Sequence, residues 1–305
     1  MDEPSVADAS AGDQVVRATA SPTLAGDWSL VLAAAGINHR VAEGGGVFAL
    51  VVSGADARAA ADALAAFDAE SVPKVVPPAP DVGPSVLGVL AGAALLAMFA
   101  VTGPGDAPHP TAWFAAGAAD AAKILHGQWW RVITALTLHA DVMHVVGNVI
   151  ATLIFVSAVG RWLGAGLGAL LIVVSAALAN GLTALWHRHE AFVSMGASTA
   201  TFAAIGLVAG LQLYRRWRYD ERRRYFWLPL GAGLALFAML GTSQNADFGA
   251  HLFGLLMGAV AGTLAAAARV RAPGRLGQTL LSMLVSAVLI GAWMLAFRTS
   301  GRMPL

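Results

Sequence analysis

Seven stretches of this chain, each 19 to 24 residues long, contain no Asp, Glu, Lys or Arg: 82–102, 142–160, 163–186, 191–214, 225–246, 248–268 and 276–297. A helix crossing a bilayer needs ~20 consecutive apolar residues, so each run has a length fit to span. Continuous apolar runs do not alternate as barrel strands do, which leaves helices as the spanning element. Only 12% of the 305 residues are charged, against about 25% in a typical soluble domain. Such a chain cannot cover itself with charge. The expected fold class is an all-α polytopic membrane protein with seven transmembrane helices.

Basic residues orient the spans. RRWRYDERRR (215–224) holds six Arg; with Arg161, Arg269, Arg271 and Arg275 one side of the membrane carries ten basic residues. The other side carries five: Lys123, Arg131, Arg188, Arg298 and Arg302. The richer side is expected to be cytoplasmic, with the N-terminus there and the C-terminus outside. A net charge of +1 supplies no global field for nucleic acid. With no cysteine, disulfides, thiolate nucleophiles and Cys-based zinc sites are excluded.

Residues 1–26 are polar or small, hold no apolar core of signal-peptide length, and are expected to form a disordered tail. Residues 27–71 read as a small α+β cytoplasmic domain. A helix over 26–37 is followed by two strands flanking Gly44–Gly46 and an Ala-rich helix over 56–70. Five prolines between 72 and 84 predict a stiff linker. The long external loop from Gly103 to about Asp141 contains Trp113, Trp129 and Trp130, suited to the headgroup level.

Polar side chains at membrane depth are costly and point to function. His139 precedes the second span, and His144 and Asn148 lie four apart inside it, on one helical face. Interhelical hydrogen bonding is one reading of that pair. A zinc site at His139 and His144 is poorly supported, because a five-residue spacing suits two ligands on one helix badly and no carboxylate partner is near. Gly196-Ala197-Ser198 opens the fourth span with a serine among small residues. This too fits a small-residue packing motif. His251 sits a turn into the sixth span, whose Gly254, Gly258 and Gly262 leave one face flat for a close neighbour. Asp247, four residues earlier, reads as a helix cap. The second, fourth and sixth spans all run from outside to inside, which puts a nucleophile, a base and two hydrogen-bond donors near one face of the membrane.

Trp130-Arg131, the HxxxxHxxxN pattern of His139, His144 and Asn148, GxS at Gly196–Ser198, and AHxxGxxxG over Ala250–Gly258 together resemble the rhomboid intramembrane serine proteases. The resemblance covers roughly 85–270 and implies a six-helix protease core, with 271–305 forming an appended seventh helix and external tail. It implies a Ser198–His251 dyad without an acidic third member, metal or cofactor. An oxyanion site would comprise the Ser198 N–H, His144 and Asn148. Phe202 matches an aromatic packed on the catalytic imidazole; Trp130, Arg131 and His139 match structural elements of the external loop. Single-span membrane proteins in a bilayer, cut near the external face, are the implied partners, and a bacterial cytoplasmic membrane the implied location. Thr199 departs from the family's GxSG pattern. A rhomboid-like pseudoprotease that binds membrane clients is therefore the alternative. A transporter is less well supported, because no internal repeat is found and the polar groups cluster near one face, not at mid-membrane.

Overall fold

A computed structural model describes residues 12–70, 83–105, 110–219, 227–240 and 247–300. The chain divides into two compact units at Val76/Pro77.

The first unit runs β1 (Asp13–Thr19), α1 (Pro22–Ala34), β2 (His39–Gly44), β3 (Val47–Ser53) and α2 (Ala57–Glu70). Its sheet is antiparallel, in the order β1-β3-β2. Gly45 and Gly46 have φ of 59° and 78°, the pair of positive values a type I′ hairpin turn requires. Ser21 caps α1 by accepting from the Leu24 amide, and Pro22 follows where no amide is needed. Leu50 and Val52 face Trp28, Leu32 and Leu64 of the helices and form the core. β1 stands inside the stretch expected to be a disordered tail. Its register slips between Val15 and Arg17, which breaks the alternation that reveals a strand in sequence. Residues 1–11 of that tail, and 72–82 of the proline-rich linker, lie outside the described residues.

The second unit begins with α3 (Val86–Thr102). The loop expected to be external then folds into α4 (Ala112–Gly117), β4 (Ala119–Asp120), α5 (Ala121–Leu125), α6 (Arg131–Thr134) and a 3₁₀ turn at Ala135–Thr137. The next apolar run is one continuous helix, α7 (Val142–Ala151) and α8 (Ser157–Leu163) joined by a π segment at Thr152–Val156. It is followed by α9 (Ala165–Trp186), β5 (Val193–Ser194), α10 (Ser198–Tyr219), α11 (Leu228–Leu240), α12 (Phe248–Ala267) and α13 (Arg275–Ser300).

Each of the seven charge-free runs contains a helix. Among the described residues, four helical stretches are long and apolar enough to cross a membrane: Val142–Leu163, Ala165–Trp186, Phe248–Ala267 and Arg275–Ser300. Large apolar side chains such as Met143, Leu276 and Ile290 are well exposed on them, the surface expected of an integral membrane protein. Residues 220–226 and 241–246, which include parts of the expected arginine-rich connection and fifth span, lie outside the described residues, as do 301–305 of the expected external tail.

The fourth helix starts at Ser198, not at 191 as the charge pattern suggested. Val193–Ser194 pair instead with Ala119–Asp120, and Gly196 turns the chain with φ +126°. The central crossing is α10 against α12. A Cβ at Gly206 or Gly210 would collide with the Leu255 or Ala259 carbonyl, and one at Gly258 or Gly262 with the Ala203 or Leu207 carbonyl. Backbone thus meets backbone along the whole crossing, which only glycine permits.

Candidate active site

Ser198 is the first residue of α10, and His251 lies in the first turn of α12. The glycine-lined crossing brings these two starts together. His251 Nε2 stands 2.7 Å from Ser198 Oγ, and His251 is buried. That contact has the geometry of a serine nucleophile paired with its base. Phe202, one turn along α10, packs on the His251 ring with centroids 4.6 Å apart.

Asp247 caps α12 by accepting from the Ala250 amide at 2.9 Å. Its backbone carbonyl accepts from the His251 N–H, so Asp247 fixes where the first turn begins.

His144 approaches from α7. A Cβ placed on Gly196 would lie 2.7 Å from His144 Nε2 and 3.6 Å from Ser198 Oγ, which puts all three groups around one point. His144 Nδ1 faces the Ala140 amide at 3.5 Å and accepts from it, which leaves the proton on Nε2, the nitrogen that faces Gly196. Asp141 caps α7 through the His144 amide at 2.8 Å. Sequence reasoning passed over Asp141, although an Asp three residues ahead of a helical histidine is a capping signal. Asn148, one turn further along the same helix, is buried, and its Nδ2 has no hydrogen-bond partner among the described residues. A buried, unpaired donor is rare enough to require an explanation. The π segment begins four residues after it, a feature frequent at functional sites.

The loop between α3 and α7 holds this assembly in place. The buried Arg131 guanidinium donates to the Ala118 and Ala115 carbonyls at 2.8 Å each, and its Nε donates to Gln128 at 2.7 Å. Burial lowers its pKa from the usual arginine range, and the Asp120 carboxylate pulls the other way. Thr134 donates to the Gly117 carbonyl at 2.6 Å, and Trp130 is buried against Ile133. The Gly196 amide donates to the Ala135 carbonyl at 2.9 Å, joining the loop to the turn before Ser198. His139 is buried edge-on to His144 with ring centroids 5.1 Å apart. The structure therefore brings Ser198, His251, His144, Phe202 and Gly196 together, with Asn148 one turn beyond His144 on the same helix. Trp130, Arg131 and His139 lie in the supporting loop, and Gly254 and Gly258 in the helix crossing. Among the described residues no group of three or more His, Cys, Asp or Glu is placed to hold a metal.

The Rhomboid domain family model matches residues 126–268. Over 135 residues the chain is 30% identical to the putative rhomboid protease YdcA of Bacillus subtilis, covering 44% of this chain and 66% of that protein. It is 27% identical over 203 residues to the rhomboid protease GluP of the same organism (65% and 38%) and 30% identical over 143 residues to rhomboid-like protease 3 of Toxoplasma gondii (47% and 54%). Residues 126–268 of this chain form a rhomboid-family domain. The chain spans less than two thirds of the length of the curated relatives it matches. The matched residues include the candidate site residues from Trp130 to Gly258 and leave out the first unit, α3, α4, β4, α5 and α13.

Proposed function

We propose that this rhomboid-family protein is an intramembrane serine endopeptidase that cuts single-span membrane proteins near the external face of the membrane. The observation that carries this reading is the 2.7 Å contact between His251 Nε2 and Ser198 Oγ at the mouth of the α10/α12 crossing. The names of its relatives, proteases among them, agree with it.

In this reading Ser198 Oγ attacks the scissile carbonyl while its proton passes to His251 Nε2. The carbonyl π bond breaks and its electrons become the oxyanion. Collapse expels the amine, which takes the proton back from His251, and leaves an acyl-Ser198. Water, deprotonated by His251, then attacks the acyl group and frees the serine. The Ser198 amide, His144 Nε2–H and Asn148 Nδ2–H serve the oxyanion. The unpaired Asn148 donor thereby acquires an acceptor when charge develops, which is when stabilisation accelerates the reaction. The substrate helix must unwind to offer a peptide bond, so residues of low helix propensity are expected at the cut. The protein spans the membrane seven times with its N-terminus cytoplasmic, in a bacterial cytoplasmic membrane.

Thr199 carries the second reading, a pseudoprotease that binds clients without cutting them. Thr199 is buried beside the serine, and its carbonyl would lie 2.7 Å from a Cβ at Gly254. The Ser198–His251 contact nevertheless forms with threonine there. A fluorophosphonate probe separates the readings. Covalent labelling of wild type, lost in both Ser198→Ala and His251→Ala, is the result expected of the protease. A folded wild type that does not label, even as Thr199→Gly, moves the assignment to the pseudoprotease.

A further inference from the structure

The last helix, α13, lies beyond the rhomboid domain, yet it is bound to the protein at two points by polar contacts. Near its start the Gln278 carboxamide accepts from the Gly166 and Leu167 amides at 2.7 and 3.1 Å and donates to the Leu163 carbonyl at 2.8 Å. It therefore caps the end of α8 and the start of α9 together. About four turns later, Trp293 donates its indole N–H to Thr137 Oγ1 at 3.2 Å. The ring fills the space over Gly117, where a Cβ would collide with it, and Trp113 meets it edge-on at 5.0 Å.

The position of Trp293 relative to the site is what matters. Thr137 ends the 3₁₀ turn two residues before His139. Met195, which immediately precedes Gly196, packs with Trp293 against the same Phe114–Ala118–Leu138 cluster. These two segments are themselves joined by the hydrogen bond from Gly196 to Ala135. One indole thus touches the arm carrying His139 and the cluster flanking the turn into Ser198. A helix needed only to fill lipid-facing surface would not require an indole N–H bonded to a loop hydroxyl.

We infer that Trp293 is a positioning residue for the reaction: α13, held at Gln278, presses it against residues 135–139 and so sets the distance between the His144 side of the site and the Gly196–Ser198 side. The consequence for catalysis rests on the proteolytic reading above.

The test uses the full chain in liposomes, as wild type, Trp293→Phe, Trp293→Ala, Thr137→Val and the double variant Trp293→Phe with Thr137→Val. Three quantities are read per folded molecule: the fluorophosphonate labelling rate at Ser198, kcat and KM for a single-span reporter, and amide exchange over 135–139 and 194–197. Loss of one hydrogen bond in Trp293→Phe or Thr137→Val is expected to lower kcat and labelling roughly 3- to 10-fold with KM unchanged, and no further in the double variant. Trp293→Ala is expected to lower both by roughly 10- to 100-fold and to speed exchange in those two segments. Wild-type kcat, labelling and exchange in folded Trp293→Ala would overturn the inference. If wild type neither labels nor cleaves, the proteolytic reading fails on its own. Exchange in Trp293→Ala then decides separately whether the indole holds residues 135–139, and unchanged exchange refutes that.

Discussion

Gly196 combines a φ of +126° with a position where a Cβ would lie 2.7 Å from His144 Nε2. Both facts exclude other residues: the backbone conformation is strained for any L side chain, and the imidazole would have to retreat from the serine. Gly196→Ala is therefore expected to leave the Ser198–His251 pair in place while pushing His144 off the proposed oxyanion position. Steady-state kinetics on a reporter should show kcat lowered by about 10- to 100-fold with little change in KM. A wild-type kcat would show that His144 has no part in the chemistry. His139 makes a prediction about pH. Burial pushes its pKa down to about 4, repulsion from His144 acts the same way, and the Thr137 backbone and Asp141 only partly oppose this. Neither ring nitrogen meets hydrogen-bond geometry with a described residue, so the neutral ring is the one the fold accepts. Unfolded, the same ring takes up a proton below about pH 6.5. The unfolded state then binds more protons than the folded one. Stability conferred by neutral His139 is thus fully present above about pH 6.5 and is lost as pH falls toward 4, by roughly 3 kcal/mol at most. Thermal unfolding in detergent between pH 7 and 4 should show a flatter pH slope for His139→Leu than for wild type. Equal slopes would contradict this account.

Two helices set the site, because the α10/α12 crossing alone determines where Ser198 meets His251. Gly258→Val places a branched side chain against the Ala203 carbonyl. Overpacking of this kind costs roughly 1–3 kcal/mol, and here it also separates nucleophile from base. Such a variant should melt earlier and label poorly with fluorophosphonate even at temperatures where it stays folded; unimpaired labelling would show that the crossing does not set the dyad. Much of this was legible in sequence. The four-residue recurrence of Gly254, Gly258 and Gly262 announced a flat face, and the shared depth of Ser198, His144 and His251 followed from the alternating direction of the spans. The partners on the other side of the crossing, Gly206 and Gly210, were not singled out, because their role appears only once the register of the two helices is known. The loop elements α4, α5 and α6 are four to six residues long, too short for periodicity to register. Helix α10 begins seven residues later than the charge pattern suggested, because absence of charge cannot distinguish a helix from the β5 strand and Gly196 turn that precede it. Trp293 carried no signal at all, since its contact with Thr137 spans 156 residues of sequence.

At the scale of the membrane-spanning unit, a polar cluster sits among helices whose outer faces are apolar. Hydrolysis of a peptide bond needs water, a base and charge stabilisation, none of which lipid supplies. In the proposed reading the last two come from the ends of α7, α10 and α12, which meet beside the loop between α3 and α7. Arg131 and Thr134 tie that loop to itself, and Gly196 ties it to the start of α10. The measurement that bears most directly on this account is cleavage of a single-span reporter in liposomes by wild type, Ser198→Ala and His251→Ala. The account predicts a cut near the external end of the reporter helix by wild type and none by either variant. Cleavage surviving in Ser198→Ala, or absent in a folded wild type even with Thr199→Gly, would contradict it.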